Sequence, residues 1–143
     1  MYICKKFIEM AKKAEKKENF KVIIAGSRGF SNYKLLHDEC NKYLREKKKT
    51  HNVIIVSGNA RGADSLGEKY ANDEKLDLEI FPADWKKFGK AAGFRRNEQM
   101  AEFADALIAF WDGKSHGTKH MIDIATEKGM NVRVVNYLEN GNK

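Results

Sequence analysis

Proline occurs once in the 143 residues, as Pro82, and cysteine twice, as Cys4 and Cys40. With one proline, the breaks between elements fall mainly to glycine. Neither cysteine has a CxxC partner, which argues against a disulfide scaffold and a zinc knuckle; each sits in an amphipathic helical pattern and reads as a small reduced hydrophobe. No apolar run is long enough to cross a bilayer, and Lys5, Lys6 and Glu9 interrupt the first ten residues, where a secretory leader needs an apolar stretch. The expectation is a soluble, cytoplasmic chain with no membrane partner. The dinucleotide fingerprint GxGxxG, the Walker GxxxxGK[ST] and HExxH are all missing, so hydride transfer, ATP hydrolysis and zinc hydrolysis have no direct support. His116 and His120 stand four apart, but His116 lies in a glycine loop and no third soft ligand accompanies the pair, so no metal is expected.

Positive charge is present in excess, +7 overall, and it is unevenly spread. Residues 1–20 carry six Lys against three Glu, and residues 42–49 carry four Lys and one Arg against one Glu; the remainder is neutral. Such blocks on helices usually form a solvated face, which ranks nucleic acid as a minor partner.

From Lys21 onward, short β-branched runs alternate with longer amphipathic stretches, the pattern of βα units around a parallel sheet. Strands are expected over Lys21–Ala25, Asn52–Val56, Leu78–Phe81, Ala106–Phe110 and Val132–Asn136, each mostly apolar on consecutive positions as strands buried on both faces are. Helices are expected over Asn32–Lys48, Ala63–Glu74, Gly93–Phe103 and Thr118–Lys128. The fold class is α/β, a Rossmann-like three-layer sandwich of about five mainly parallel strands. Ile3, Phe7, Ile8, Ala11 and Ala14 recur at helical spacing and predict an N-terminal amphipathic helix. Residues 1–19 thus form a helical extension and residues 20–143 one domain. The apolar stripe of that helix, with Phe7, Phe88 and Phe94, permits a homo-oligomer.

In open α/β sheets, ligands bind beyond the carboxyl ends of the strands. Gly26-Ser27-Arg28-Gly29 follows the first strand, Ser57-Gly58-Asn59-Ala60-Arg61-Gly62-Ala63-Asp64 the second, and Asp112-Gly113-Lys114-Ser115-His116-Gly117-Thr118 the fourth. Each loop leads to a helix, where glycine allows close approach and free amides favour an anion such as phosphate. Ser27, Ser57, Ser115 and Thr118 add hydroxyl donors; Arg28, Arg61 and Lys114 add charge. Arg95 and Arg96 open the helix before the fourth strand, within reach of a phosphate. Asp64 either accepts a ribose hydroxyl or favours the start of its own helix, Trp85 either stacks on a base or packs over the helix behind it, and Asp105 reads as a structural turn or cap.

GSRGF at Gly26 to Phe30, SGNARGAD at Ser57 to Asp64, FPADWKKFGKAAGFRRNEQM at Phe81 to Met100 and GKSHGT at Gly113 to Thr118 resemble the YspA-like branch of the SLOG superfamily. The resemblance runs from about Lys21 to Asn136. It implies a Rossmann-like domain that binds a nucleotide or a nucleotide-derived molecule, of the NAD or ADP-ribose kind, with no further cofactor required. The same superfamily holds the DNA-processing proteins and the lonely-guy phosphoribohydrolases, which cleave nucleoside monophosphates with an RKxxM segment and a PGGxGTxxE loop. Arg96-Asn97-Glu98-Gln99-Met100 is similar to the first, with Asn97 in place of the lysine. Trp111-Asp112-Gly113 stands near PGG, and Met121 occupies the place of the glutamate, which removes the obvious acid-base group. Asp64 or Asp112 could substitute, which would leave Arg96 and Asp64 as the catalytic pair. Ligand binding or sensing therefore ranks first, nucleoside 5′-monophosphate N-glycosidase second and nucleic-acid binding third.

Overall fold

The computed structural model describes residues 17–138. The helix expected in the N-terminal extension, Cys4 and nearly all of the first basic block lie outside the described residues. The elements are β1 (Asn19–Gly26), α1 (Tyr33–Leu44), α2 (Lys47–Thr50), β2 (Asn52–Ser57), α3 (Ala63–Asp73), β3 (Asp77–Ile80), α4 (Trp85–Phe88), a 3-10 turn (Gly89–Ala91), α5 (Ala92–Phe103), β4 (Ala106–Trp111), α6 (His116–Glu127) and β5 (Asn131–Asn136).

The five strands form one parallel sheet in the order β3-β2-β1-β4-β5. The chain steps outward from β1 to β3, then crosses back to β4 and continues to β5. With right-handed crossovers, this reversal puts α1 and α3 on one face and α5 and α6 on the other. Strand alternation divides the core accordingly. Val22, Ile24, Ile55, Ile108 and Phe110 pack with Leu36, Cys40 and Leu44 of α1 and Tyr70 of α3. Ile23, Ala25, Val56, Leu107 and Ala109 pack with Met100 and Ala101 of α5 and Met121 and Ala125 of α6. Cys40 is free and fully buried, and burial pushes its thiol up, out of the reactive range.

Two expectations change. The outer strands are not buried on both faces: all of β3 is exposed, and β5 is exposed at Asn131, Arg133 and Val134. An edge strand has a neighbour on one side only, so its apolar residues receive partial cover. The helix expected over Asn32–Lys48 is two helices, with Asn32 accepting from the Leu35 amide as the cap of α1. Lys48 of α2 turns inward, its Nζ donating to Tyr70 Oη (2.8 Å), Asn41 Oδ1 (3.1 Å) and Glu74 Oε1 (3.2 Å). Lys47 lies over the Phe20 ring. The second basic block is thus partly engaged by the protein itself, which weakens its case as a nucleic-acid surface. No helix among the described residues is long and apolar enough to cross a membrane.

Asp105, expected as a turn or cap, is a tie between two strands. Its Oδ2 accepts from the Lys21 amide at 2.9 Å and its own amide donates to the Lys21 carbonyl at 2.8 Å, tying β4 to β1 at their amino ends. Asp105→Ala should cost about 1 to 2 kcal/mol in chemical denaturation. Because this tie is at the opposite end of the strands from the loops, ligand affinity should not change.

Candidate functional site

The loops after β1, β2 and β4 are joined at one residue, Ser27, which is 2% exposed. Its amide donates to the Phe110 carbonyl (2.9 Å), its carbonyl accepts from Phe30 (3.1 Å) and Ala63 (3.3 Å), and its Oγ accepts from the Asp112 amide (3.1 Å). Gly62 completes the junction. Its φ of +76° is a glycine conformation, and a side chain there would run into the Ser27 and Arg28 carbonyls.

Beside this junction opens a cleft of about 350 Å³, at the switch point between β1 and β4. Gly26, Ser27, Arg28, Ala60, Asp64, Trp85, Arg96, Asn97, Ser115, Gly117 and Thr118 line it, so residues from all three loops meet there. A second hollow of about 290 Å³ adjoins it and adds Gly58 and Arg61, with Arg28, Ala60, Trp85 and Arg96 shared. Ser57, Gly62, Ala63, Asp112, Gly113 and Lys114 line neither space. Ser57 is fully buried and donates to Glu68 Oε2 at 2.7 Å, so its hydroxyl serves α3. Ala63 is also fully buried, behind the junction.

Asp112 organises its own loop. Oδ1 accepts from the Lys114 amide (2.9 Å) and the Ser115 amide (2.8 Å), and Oδ2 from Ser115 Oγ (3.0 Å). Burial raises its pKa, but these donors, with Ser27, outweigh burial and hold the carboxyl below its ordinary range. The Lys114 and Ser115 amides and the Ser115 hydroxyl are therefore already engaged within the protein. The unpaired amides of the first turn of α6, at His116 to Thr118, remain.

Arg96 is held from two sides. Its Nη1 donates to the Gly58 carbonyl and its Nε to Asn97 Oδ1 at 3.0 Å. Asn97, 6% exposed, passes this order on to α6, its Nδ2 donating to the Gly117 carbonyl at 3.1 Å and lying 3.2 Å from His120 Nδ1. Asp64, 5% exposed, accepts from the Ala60 amide at 3.2 Å. Burial pushes its carboxyl up to about 6, against the Ala60 amide and Arg96, which favour the charged form. Burial also lowers the Arg96 pKa, opposed by Asp64.

Lys90, Gly93, Phe94 and Met100 also line the cleft, and reading the loops alone misses them. The spacing 93, 94, 97, 100 puts Gly93, Phe94 and Met100 with Asn97 on one stripe of α5, and Lys90 comes from the 3-10 turn before it. Phe94 is 46% exposed and lies against His120 at a ring distance of 4.4 Å; Trp85 is 53% exposed beside Gly93. Two open aromatic faces thus stand at the cleft. Met121 is 1% exposed and contributes to the floor with Met100, which makes Asp64 the one lining carboxylate among the described residues. His116 and His120 join no metal-type cluster: no group of three His, Cys, Asp or Glu suited to a metal occurs among the described residues.

Comparison with known proteins agrees with this architecture. The chain is similar to Gene 61 protein of Mycobacterium phage D29, 32% identical over 123 residues, covering 82% of this chain and 95% of that one. DNA processing protein A (DprA) from Streptococcus pneumoniae superposes with a TM-score of 0.63 at 17% identity over 82% of this chain, which spans half the length of DprA. TM1055 superposes with a TM-score of 0.56 at 17% identity, over 80% of this chain and 72% of that one. At such identity the two structures speak for the fold alone. The model of the YspA, cpYpsA-related SLOG family matches residues 20–88, a span from β1 through the loop that supplies Ser27 and Arg28 and the first turn of α3 that supplies Asp64 to the end of α4. With that match and the phage relative together, the chain belongs to the YspA, cpYpsA-related SLOG family.

Proposed function

We propose that the protein binds a nucleotide or nucleotide-derived ligand in the cleft at the β1–β4 switch point and acts as a ligand-binding or sensing domain. The observation that carries this reading is the convergence of three strand-end loops at Ser27 on a cleft that also holds Arg28, Lys90 and Arg96. Its volume of about 350 Å³ lies within the range of small-molecule sites. A phosphate fits between the free amides at the start of α6 and the Arg96 guanidinium, where helix dipole and charge add. A base fits against Trp85 or Phe94. Calorimetry with a panel of mono- and dinucleotides, NAD and ADP-ribose tests the reading. Submillimolar binding of at least one supports it, and silence from the whole panel ends it.

One observation favours a second reading, N-glycosidic cleavage of a nucleoside 5′-monophosphate. Asp64, with a carboxyl near 6, stands in the cleft as a potential proton carrier where Met121 offers none. Chromatography after long incubation should then show free base and ribose phosphate. Intact nucleotide throughout would leave binding alone.

Gly58→Ala strikes the site directly. A Cβ there would stand 2.5 Å from Arg96 Nη1 and 2.8 Å from Asp64 Oδ2, so both groups must leave the places in which they are held. Stability should fall by about 1 to 3 kcal/mol. Nucleotide affinity should fall about tenfold, because the guanidinium is displaced from its place. A melting curve and a calorimetric titration on the same sample check both halves.

A further inference from the structure

We propose that Asp64 is the specificity-determining residue of the cleft: it opposes occupation by simple anions and admits ligands that bring a hydroxyl donor along with their phosphate. The inference rests on the nucleotide-binding reading and names the charge rule of that site. Its basis is a juxtaposition. The lining is cationic at Arg28, Lys90 and Arg96, yet a carboxylate that is 5% exposed sits among these groups. Asp64 and Arg96 both crowd the same point, Gly58, with Oδ2 and Nη1 each within 2.8 Å of where a Cβ would be. One carboxylate oxygen takes the Ala60 amide, and a carboxylate has acceptor positions for further donors.

A free phosphate or sulfate attracted by Arg96 would also meet this negative charge in a poorly hydrated place, where repulsion is strong. A ribose hydroxyl would do the opposite and donate to it. Neutral Asp64 removes the repulsion, so anion binding is linked to its protonation. The charged groups that act on Asp64 are Arg96 from α5, Arg28 from the β1 loop and Glu68 from α3 itself. His120, beside Asn97 and Phe94, is a further ionisable group near the cleft.

The experiment is calorimetry of the wild-type chain and Asp64→Asn with three probes: sodium sulfate, AMP and 2′,3′-dideoxy-AMP. Sulfate carries no proton of its own across the range used. The wild type should bind sulfate on the order of tenfold more tightly at about pH 5 than at about pH 8, one factor of ten for each pKa unit the anion adds to Asp64. Asp64→Asn should bind it about tenfold more tightly than wild type at about pH 8, with no pH dependence. It should also lose most of the preference for AMP over the dideoxy analogue. A pH dependence that persists in Asp64→Asn arises from another group and overturns the proposal. An unchanged sulfate affinity with an unchanged AMP preference does the same. If the variant does not fold, the wild type decides, and a flat sulfate profile or no AMP preference rejects the idea. If AMP binds while Asp64→Asn behaves as wild type, this inference alone falls; if no nucleotide of the full panel binds the wild type, the binding reading falls with it.

Discussion

Arg96→Ala is expected to weaken nucleotide binding about a hundredfold or more, roughly 3 kcal/mol, the cost of removing a fixed guanidinium from a charged acceptor. Most of that figure rests on pre-organisation. The side chain is already held by the Gly58 carbonyl and Asn97 Oδ1, so a ligand need not order it. Arg96→Lys keeps the charge and loses the fork, and should cost about tenfold. Stability responds as well, because Arg96 favours the charged form of Asp64. Without it, the Asp64 carboxyl should rise further above 6, so Arg96→Ala should lower the melting temperature more at neutral pH than in mild acid, where Asp64 holds its proton. Calorimetry and melts at the two pH values check this. An affinity within about threefold of wild type would mean that the anion is not held at Arg96.

The central part of the fold could be read from the sequence because burial on both faces leaves a plain record. KVIIA, NVIIV and ALIAF are apolar at every position or nearly so, and they became the three inner strands. The outer strands were located from similar runs, but their exposure was not, since edge position follows from topology. Neither glycine nor proline marks the break between α1 and α2. What fixes α2 is tertiary, the reach of Lys48 to Tyr70 and Glu74.

In the site, glycine and serine told where the loops turn and not how their polar groups are used. Ser27 and Ser57 look alike in the sequence, each just past a strand. One joins three loops beside the cleft; the other serves Glu68, which stands one helical turn beyond Asp64. Asp112 looks like a ligand contact and instead takes up donors of its own loop. These assignments depend on distances of a few ångströms between segments far apart in the chain, and residue type does not encode them. Arg96 and Asp64 stand out in the sequence by their places near helix starts and, for Arg96, by the family resemblance; the burial of Asp64 is a tertiary fact that the sequence does not record.

Asp64→Asn should make the protein more stable at neutral pH, by about 2 to 3 kcal/mol, and leave it nearly unchanged at about pH 4. Burial lifts this carboxyl from its ordinary range to about 6, so on raising the pH the unfolded chain releases its proton before the folded chain does. Folding stability therefore falls as pH rises from about 4 to about 6, then levels off, and the asparagine form escapes that loss. Oδ1 of the asparagine can still accept from the Ala60 amide, so the turn at the head of α3 keeps its bond. A gain on deleting a charge from the cleft is the behaviour of a group retained for what it does to a ligand, at a cost to the fold. Denaturant titrations of both forms at several pH values measure the difference, and parallel stability curves would show that the folded state holds Asp64 with no penalty.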